Sequence, residues 1–300
     1  MDSSVETLRR HEIHNRFEII AGQGGLPLVK IKTPWSTAEI YPHGAHVASF
    51  QKNGEPPMIF MSAKSCFAVG KPIRGGVPIC FPWFGNRDGE PSHGFARVTE
   101  WELVSTSATP DGKATVMLAL PGISGSSKWN ALRTEFVVTV ADTLTMELTT
   151  TSESCDGALE IENCLHTYFQ VGDISSVSLT GLQGAPFDDF AFGAGGARRA
   201  ADKDALRITQ ETNRVYPDNA ATIEIIDKKL QRKIRVEKFN SNSTVVWNPW
   251  LTQKMPEDWG ANEHLNMVCV ESGNVKQNNI SLAPGATTVL KVVLSSVPLK

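Results

Sequence analysis

Along the chain, short runs in which apolar and polar positions alternate return from one end to the other. They are GLPLVKIKT (25–33), TAEIYPHGAHVASFQ (37–51), KATVMLALP (113–121), TEFVVTVADTLTMELTTTSE (134–153), ATIEIIDKKLQRKIRVEKF (221–239) and TTVLKVVLSSV (287–297). A period of two, rich in β-branched residues and bounded by turn formers, predicts half-buried strands. Two of the runs carry their own turns: Ala141 to Thr143 in one and DKKLQRK in the other predict hairpins. Helical periodicity is sparse, with a turn or two near Val5 to His14 behind the candidate caps Ser3 and Ser4, and another after Pro256. The Gly/Ala-rich stretch FDDFAFGAGGARRAADKDA (187–205) reads as a surface loop. There is no internal repeat and none of the strand–helix alternation that a dinucleotide fold requires. The expected fold is all-β, a large antiparallel sandwich with few short helices and a concave face, forming one domain over residues 1–300.

One strand departs from simple alternation. In ALEIENCLHTYFQVGDI (158–174), Leu159, Ile161, Leu165, Phe169 and Val171 share a face, which sets Glu162, Cys164, His166, Tyr168 and Gln170 on the other. A carboxylate, an imidazole, a phenol and an amide on so apolar a strand are costly if buried without partners, so this face suits a polar cleft. A hydrogen-bonded structural histidine is the alternative for His166. Glu271 ends the apolar strand MVCVE just before Ser-Gly, on the face of Met267 and Cys269. It is either a solvated rim group or, inside a cleft, a base.

RGGVPICFPWFGNRDGEPSHGFARVTEW (74–101) adds cations to a stiff, apolar loop. Arg74 before Gly75-Gly76 and Arg97 four residues after His93 offer planar donors for a phosphate or carboxylate, and the glycine amides can approach the same ligand. Arg87, between Asn86 and Asp88, reads as a surface charge. Trp83, Phe84 and Phe95 either floor a sugar site or pack. His43 and His46 have a metal-like spacing, but Gly44 marks a turn and no third ligand is near, so packing is expected. His264 reads as a loop or helix-end residue. The zincin, P-loop and G-x-S-x-G signatures are all missing, which points away from nucleotide and acyl-transfer chemistry.

Composition narrows the partners. With 300 residues, 41% hydrophobic and 20% charged, the chain can bury a large core without staples. A net charge of −3 with scattered basic residues leaves no footprint for nucleic acid or an anionic membrane. Five widely spaced cysteines without C-x-x-C fit a reducing compartment, and neither a secretory core nor a membrane-length apolar run is present. The expected setting is cytoplasmic, and the sequons at Asn242 and Asn279 are then chance matches.

RGGVPICFPWFG, HGFARVTEW, ALEIENCLHTYF, TNRVY, TVVWNPW and NMVCVESGNV, in this order, resemble the aldose 1-epimerase family, and within it the glucose-6-phosphate 1-epimerase branch. The resemblance implies a galactose-mutarotase-like β-sandwich that interconverts the α and β anomers of an aldohexose 6-phosphate, with no metal and no organic cofactor. It implies His166 as catalytic acid, Glu271 as catalytic base, and Arg74, Ser92, His93, Arg97 and Asn213 as substrate-site positions. Asn213 stands where the family reads Asp, losing the charge but keeping a carbonyl acceptor; nearby Asp218 is a candidate to compensate. The partner implied is a small-molecule hexose 6-phosphate, the expected assembly is a monomer, and His166 and Glu271 are expected a sugar's width from an anion held by the two arginines. Two rival readings stay open: an epimerase of unphosphorylated aldoses and a non-catalytic sugar-phosphate-binding protein.

Overall fold

The computed structural model describes residues 4–122 and 127–299. Its longest strands form one antiparallel sheet in the order Val177–Thr180, Ile223–Asp227, Arg232–Phe239, Thr287–Pro298, Leu144–Ser152, Leu132–Val140, Ala114–Leu120 and Glu102–Ala108. A second sheet runs Ala197–Arg199, Phe187–Asp189, Thr212–Pro217, Ser243–Asn248, Met267–Asn274, Asn163–Leu165 and Ile79–Cys80, with Tyr168–Gln170 also paired to Met267–Asn274. A four-stranded meander, Phe17–Ala21, Pro27–Lys32, Ser36–Tyr41 and His46–Lys52, precedes them.

The alternating runs explain the layering. Ile223, Ile225, Ile234, Val236, Leu290, Val292 and Leu294 from the first sheet share one buried cluster with Leu165, Phe169, Val246, Val268 and Val270 from the second. Each such side chain taken out of water stabilises the sandwich by about 1.5–3 kcal/mol. Because the period is two, the residues between them in the second sheet face away from this core, and that outer face carries the site.

Both expected hairpins form: Ala141 to Thr143 joins Leu132–Val140 to Leu144–Ser152, and Ile223–Asp227 turns into Arg232–Phe239. At the N-terminus Val5–Leu8 is helical, capped by the Ser4 hydroxyl, which accepts from the Thr7 amide; Ser3 lies outside the described residues. After Pro256 the chain makes turns rather than a helix, and its single 3-10 segment there is Glu263–Asn266. The Gly/Ala-rich stretch is more than a loop. Phe187–Asp189 and Ala197–Arg199 pair antiparallel and extend the second sheet at its edge, where glycines supply the left-handed turn residues.

ALEIENCLHTYFQ is not one strand but three short ones, Leu159–Ile161, Asn163–Leu165 and Tyr168–Gln170. Its parity survives, because Leu159, Ile161, Leu165, Phe169 and Val171 all enter the main core. Buried Arg232 secures the last strand by donating to the Gln170 carbonyl and to those of Pro56 and Pro57. Among the described residues no helix is long and apolar enough to cross a membrane.

Candidate active site

Strand register creates the central pair. Asn163–Leu165 and Tyr168–Gln170 both pair with Met267–Asn274, and the pairs Leu165 with Ser272 and Tyr168 with Cys269 bracket the point where His166 stands opposite Glu271. Opposite residues in an antiparallel pair project to the same face. His166 Nε2 therefore lies 3.3 Å from Glu271 Oε1, with both residues buried. The same register extends the row across the sheet, as Val245 pairs with Glu271 and Val215 with Val245. In the next row Trp247 pairs with Cys269, and Asn213 with Trp247. These two rows floor a cavity of about 450 Å³.

All seven residues singled out from the sequence line this cavity: Arg74, Ser92, His93, Arg97, Asn213, His166 and Glu271. The structure brings His166 and Glu271 into direct contact. That suits a hemiacetal, whose hydroxyl oxygen and ring oxygen are bonded to one carbon, so an acid and a base serving them belong side by side. Asn213 takes the lining position, whereas Asp218 is exposed beyond it along the strand and accepts from the Asn278 amide. Arg87 stays outside, over the Trp83 ring and 3.9 Å from Glu162. Of the loop aromatics Phe84 lines the cavity; Trp83 is buried against Phe95. His43 and His46 are buried elsewhere, His43 bonded to the Lys71 carbonyl.

Burial sets the protonation of the pair. It pushes the Glu271 carboxyl well above the usual carboxylate range and His166 down to about 3, with the Arg97 charge adding to the fall at His166. Burial thus disfavours the charged form of each group, which favours a neutral pair with the shared proton on the carboxyl, 3.3 Å from the imidazole that can take it. The other carboxyl oxygen accepts weakly from the Cys164 thiol at 3.7 Å. His166 is stacked on Tyr168, ring centroids 4.8 Å apart, and Trp247 meets both rings edge-on, which leaves the imidazole little freedom to rotate.

His93 is held by a reciprocal clasp: its amide donates to the Gly85 carbonyl at 2.7 Å, and the Gly85 amide donates to His93 Nδ1 at 3.3 Å. An accepting Nδ1 places the proton on Nε2, and burial keeps the ring neutral. Arg97 Nη2 donates to the Ser92 carbonyl at 2.7 Å. Arg74 is oriented by Asp258, whose two carboxylate oxygens both accept from Nε at 3.0–3.1 Å. The sequence gives no hint of that partner, 184 positions away. His166, Cys269 and Glu271 are the described residues whose ligand atoms gather most like a metal set, within 4.8 Å of one another. Cys269 packs in the apolar cluster of Phe60, Tyr168, Trp259 and Met267, and burial holds its thiol protonated.

Several lining residues escape sequence reasoning. Phe190 comes from the Gly/Ala-rich hairpin, and Trp259, Lys254 and Lys276 from turns. Trp247 has a signal in its alternation with Val245, two positions before it on the same strand face. Charge is lopsided here: Arg74, Arg97, Lys254 and Lys276 line the cavity against the single carboxyl of Glu271.

Comparison with known proteins bears on the family and the fold. The chain is 33% identical over 292 residues to a protein of Cenchrus ciliaris named as a candidate glucose-6-phosphate 1-epimerase, covering 94% of this chain and 88% of that one. An Escherichia coli protein of the same name is 32% identical over 258 residues, covering 82% and 83% of the two chains. The crystal structure of a candidate mutarotase from Salmonella typhimurium superposes with a TM-score of 0.82 at 27% identity, over 94% of this chain and 97% of that one. A galactose mutarotase-like protein from Clostridium acetobutylicum shares the fold, with a TM-score of 0.72 at 14% identity over 94% and 98% of the chains. The aldose 1-epimerase family model matches residues 27–295, and the chain belongs to that family.

Proposed function

We propose that the protein is a hexose-6-phosphate mutarotase, interconverting the α and β anomers of glucose 6-phosphate with His166 and Glu271 as its acid and base. The observation that carries the phosphate is the charge of the cavity, four cations against one carboxyl, in a chain whose net charge is −3. Such a site concentrates a dianion and is wasted on a neutral sugar.

The shared proton runs the reaction. Once it has crossed to His166, carboxylate Glu271 takes the proton of the anomeric hydroxyl while His166 Nε2 gives its proton to the ring oxygen. The C1–O5 bond breaks, C1 becomes the aldehyde carbon, and the pair is back in its neutral form. Rotation about C1–C2 presents the other face of the aldehyde. On closure the ring hydroxyl returns its proton to His166, its oxygen adds to C1, and Glu271 protonates the new anomeric oxygen. Each positioned group contributes about 10²–10⁴ in rate. His93 Nε2–H and the Asn213 side chain serve the ring hydroxyls, Ser92 anchors Arg97 through its carbonyl, and Arg74 turns its free Nη groups toward the phosphate. Acid, base and cations all come from one chain, so a monomer suffices, and five unpaired cysteines suit the reducing cytoplasm.

The test is discrimination. Arg74→Ala lowers kcat/KM for glucose 6-phosphate by about 10²-fold, as expected for a lost charge-assisted phosphate contact, and that for glucose by less than about threefold. Both are read by following anomer exchange by NMR. Equal losses on the two sugars would assign the site to unphosphorylated aldoses.

A further inference from the structure

Resting on the reading above, we propose that Lys276, which lines the same cavity as Arg74, is a ligand of the substrate phosphate and a determinant of 6-phosphate specificity.

The two guanidinium groups in the cavity are already partly used. Arg74 gives its Nε to both oxygens of Asp258, and Arg97 spends Nη2 on the Ser92 carbonyl, with its Nε buried. A phosphate dianion brings two charges, and the Asp258 carboxylate already stands against the charge of Arg74. Lys276 differs: it lines the cavity, and no carboxylate among the described residues lies within 4.0 Å of its ammonium. Nζ stands between the Phe84 and Phe190 rings, 5.9 and 5.8 Å from their centroids. It overhangs Gly85, where an added Cβ would lie 3.3 Å from it. Gly85 clasps His93, whose ring is 5.6 Å from that of His166. The ammonium is therefore on the His166 side of the cavity. His166 serves the ring oxygen, and the carbon bearing the phosphate is bonded directly to that oxygen's other neighbour, so the phosphate belongs on this side too.

The backbone is built for this placement. Lys276 has φ of +56°, unusual for a residue with a side chain. It is held there by Glu162, whose Oε1 accepts the Lys276 amide at 2.6 Å while Oε2 accepts the Phe84 amide at 3.0 Å. One carboxylate thus ties together the turn that carries Lys276 and the loop that carries His93. Strain of this kind persists where surrounding structure over-determines it, and it gathers at functional positions.

The experiment compares the wild-type protein with Lys276→Met, Lys276→Arg and Lys276→Glu, measuring anomer exchange on glucose 6-phosphate and on glucose. Lys276→Met keeps the length of the stem at an exposed position, so it folds. KM for glucose 6-phosphate should rise about tenfold to a hundredfold in Lys276→Met and further in Lys276→Glu, with most of the affinity returned by Lys276→Arg. KM for glucose should move by less than about twofold. If the wild-type protein prefers glucose 6-phosphate and Lys276→Met keeps its KM, the role of Lys276 is overturned and the proposed function stands. If the wild-type protein shows no preference for the phosphorylated sugar, the proposed function and the role of Lys276 fall together.

Discussion

Glu271→Gln should slow glucose 6-phosphate anomerisation by about 10³-fold, the range expected when a positioned general base is removed. The amide retains the carboxyl's shape on the buried strand and can still accept from the Cys164 thiol, so the fold remains. What disappears is the shared proton: the substituted amide could neither receive it from the anomeric hydroxyl nor pass it to His166. His166→Ala should lose a similar factor, and the double variant little more than either single, since two groups that pass one proton act as a unit. The pH profile follows from the same pair. Below about pH 3 the buried His166 holds a second proton and no base remains. The alkaline limb comes when Glu271, pushed well above its ordinary 4.5, loses its proton and no acid remains. The kcat profile should therefore show no acid limb near 6.5, where an ordinary imidazole titrates. A clear inflection there, or a Glu271→Gln rate within threefold of wild type, would remove the pair from the mechanism.

A large loss of stability should come from Gly76→Ala. Gly76 has φ of +66°, and a Cβ on it would lie 2.0 Å from His46 Nε2 and 2.7 Å from the Val47 carbonyl oxygen. Neither neighbour can give way: His46 is buried, and Val47 belongs to a paired strand. Gly76 also donates to the Phe60 carbonyl at 2.7 Å and accepts from the Tyr168 amide at 3.0 Å, so any retreat of its backbone drags the strand beneath His166. Left-handed strain of about 1–3 kcal/mol and overpacking of a similar size should together cost about 3–5 kcal/mol. For a chain of this length that lowers Tm by roughly 5–15 °C in a thermal melt. Gly89→Ala is the control, since its φ is +73° but nothing lies within 4 Å of the added carbon, and it should lose only the strain. Melting temperatures for the two variants within about 2 °C of each other would refute the clash.

How much of this was written in the sequence depends on the range of the interaction. Period-two alternation is local, so the strands, both hairpins and the two faces of the His166 strand could be read directly. The same parity singled out His166 and Glu271 as polar groups out of place. Their contact could not be read, because it depends on a strand register between segments about a hundred positions apart. Asp258 escaped notice for the same reason, as did the brace that Glu162 forms between two loops. Phe190 was hidden by composition: glycines and alanines suggested a featureless loop, and here they supply the turns of an edge hairpin. The helical turn expected after Pro256 is a 3-10 segment, Glu263–Asn266, set just before the strand that carries Glu271.

Because acid and base meet only through pairing register, turnover reports on whether that register has been set. A slip of one residue between the two strands would turn the Glu271 side chain into the core, and a slip of two would put Cys269 or Gly273 opposite His166. Misregistered chains could keep their sheet content and much of their buried surface while being inert. Regain of anomerase activity during refolding would thus time the locking of these two strands, an event that a spectroscopic probe of average strand content passes over.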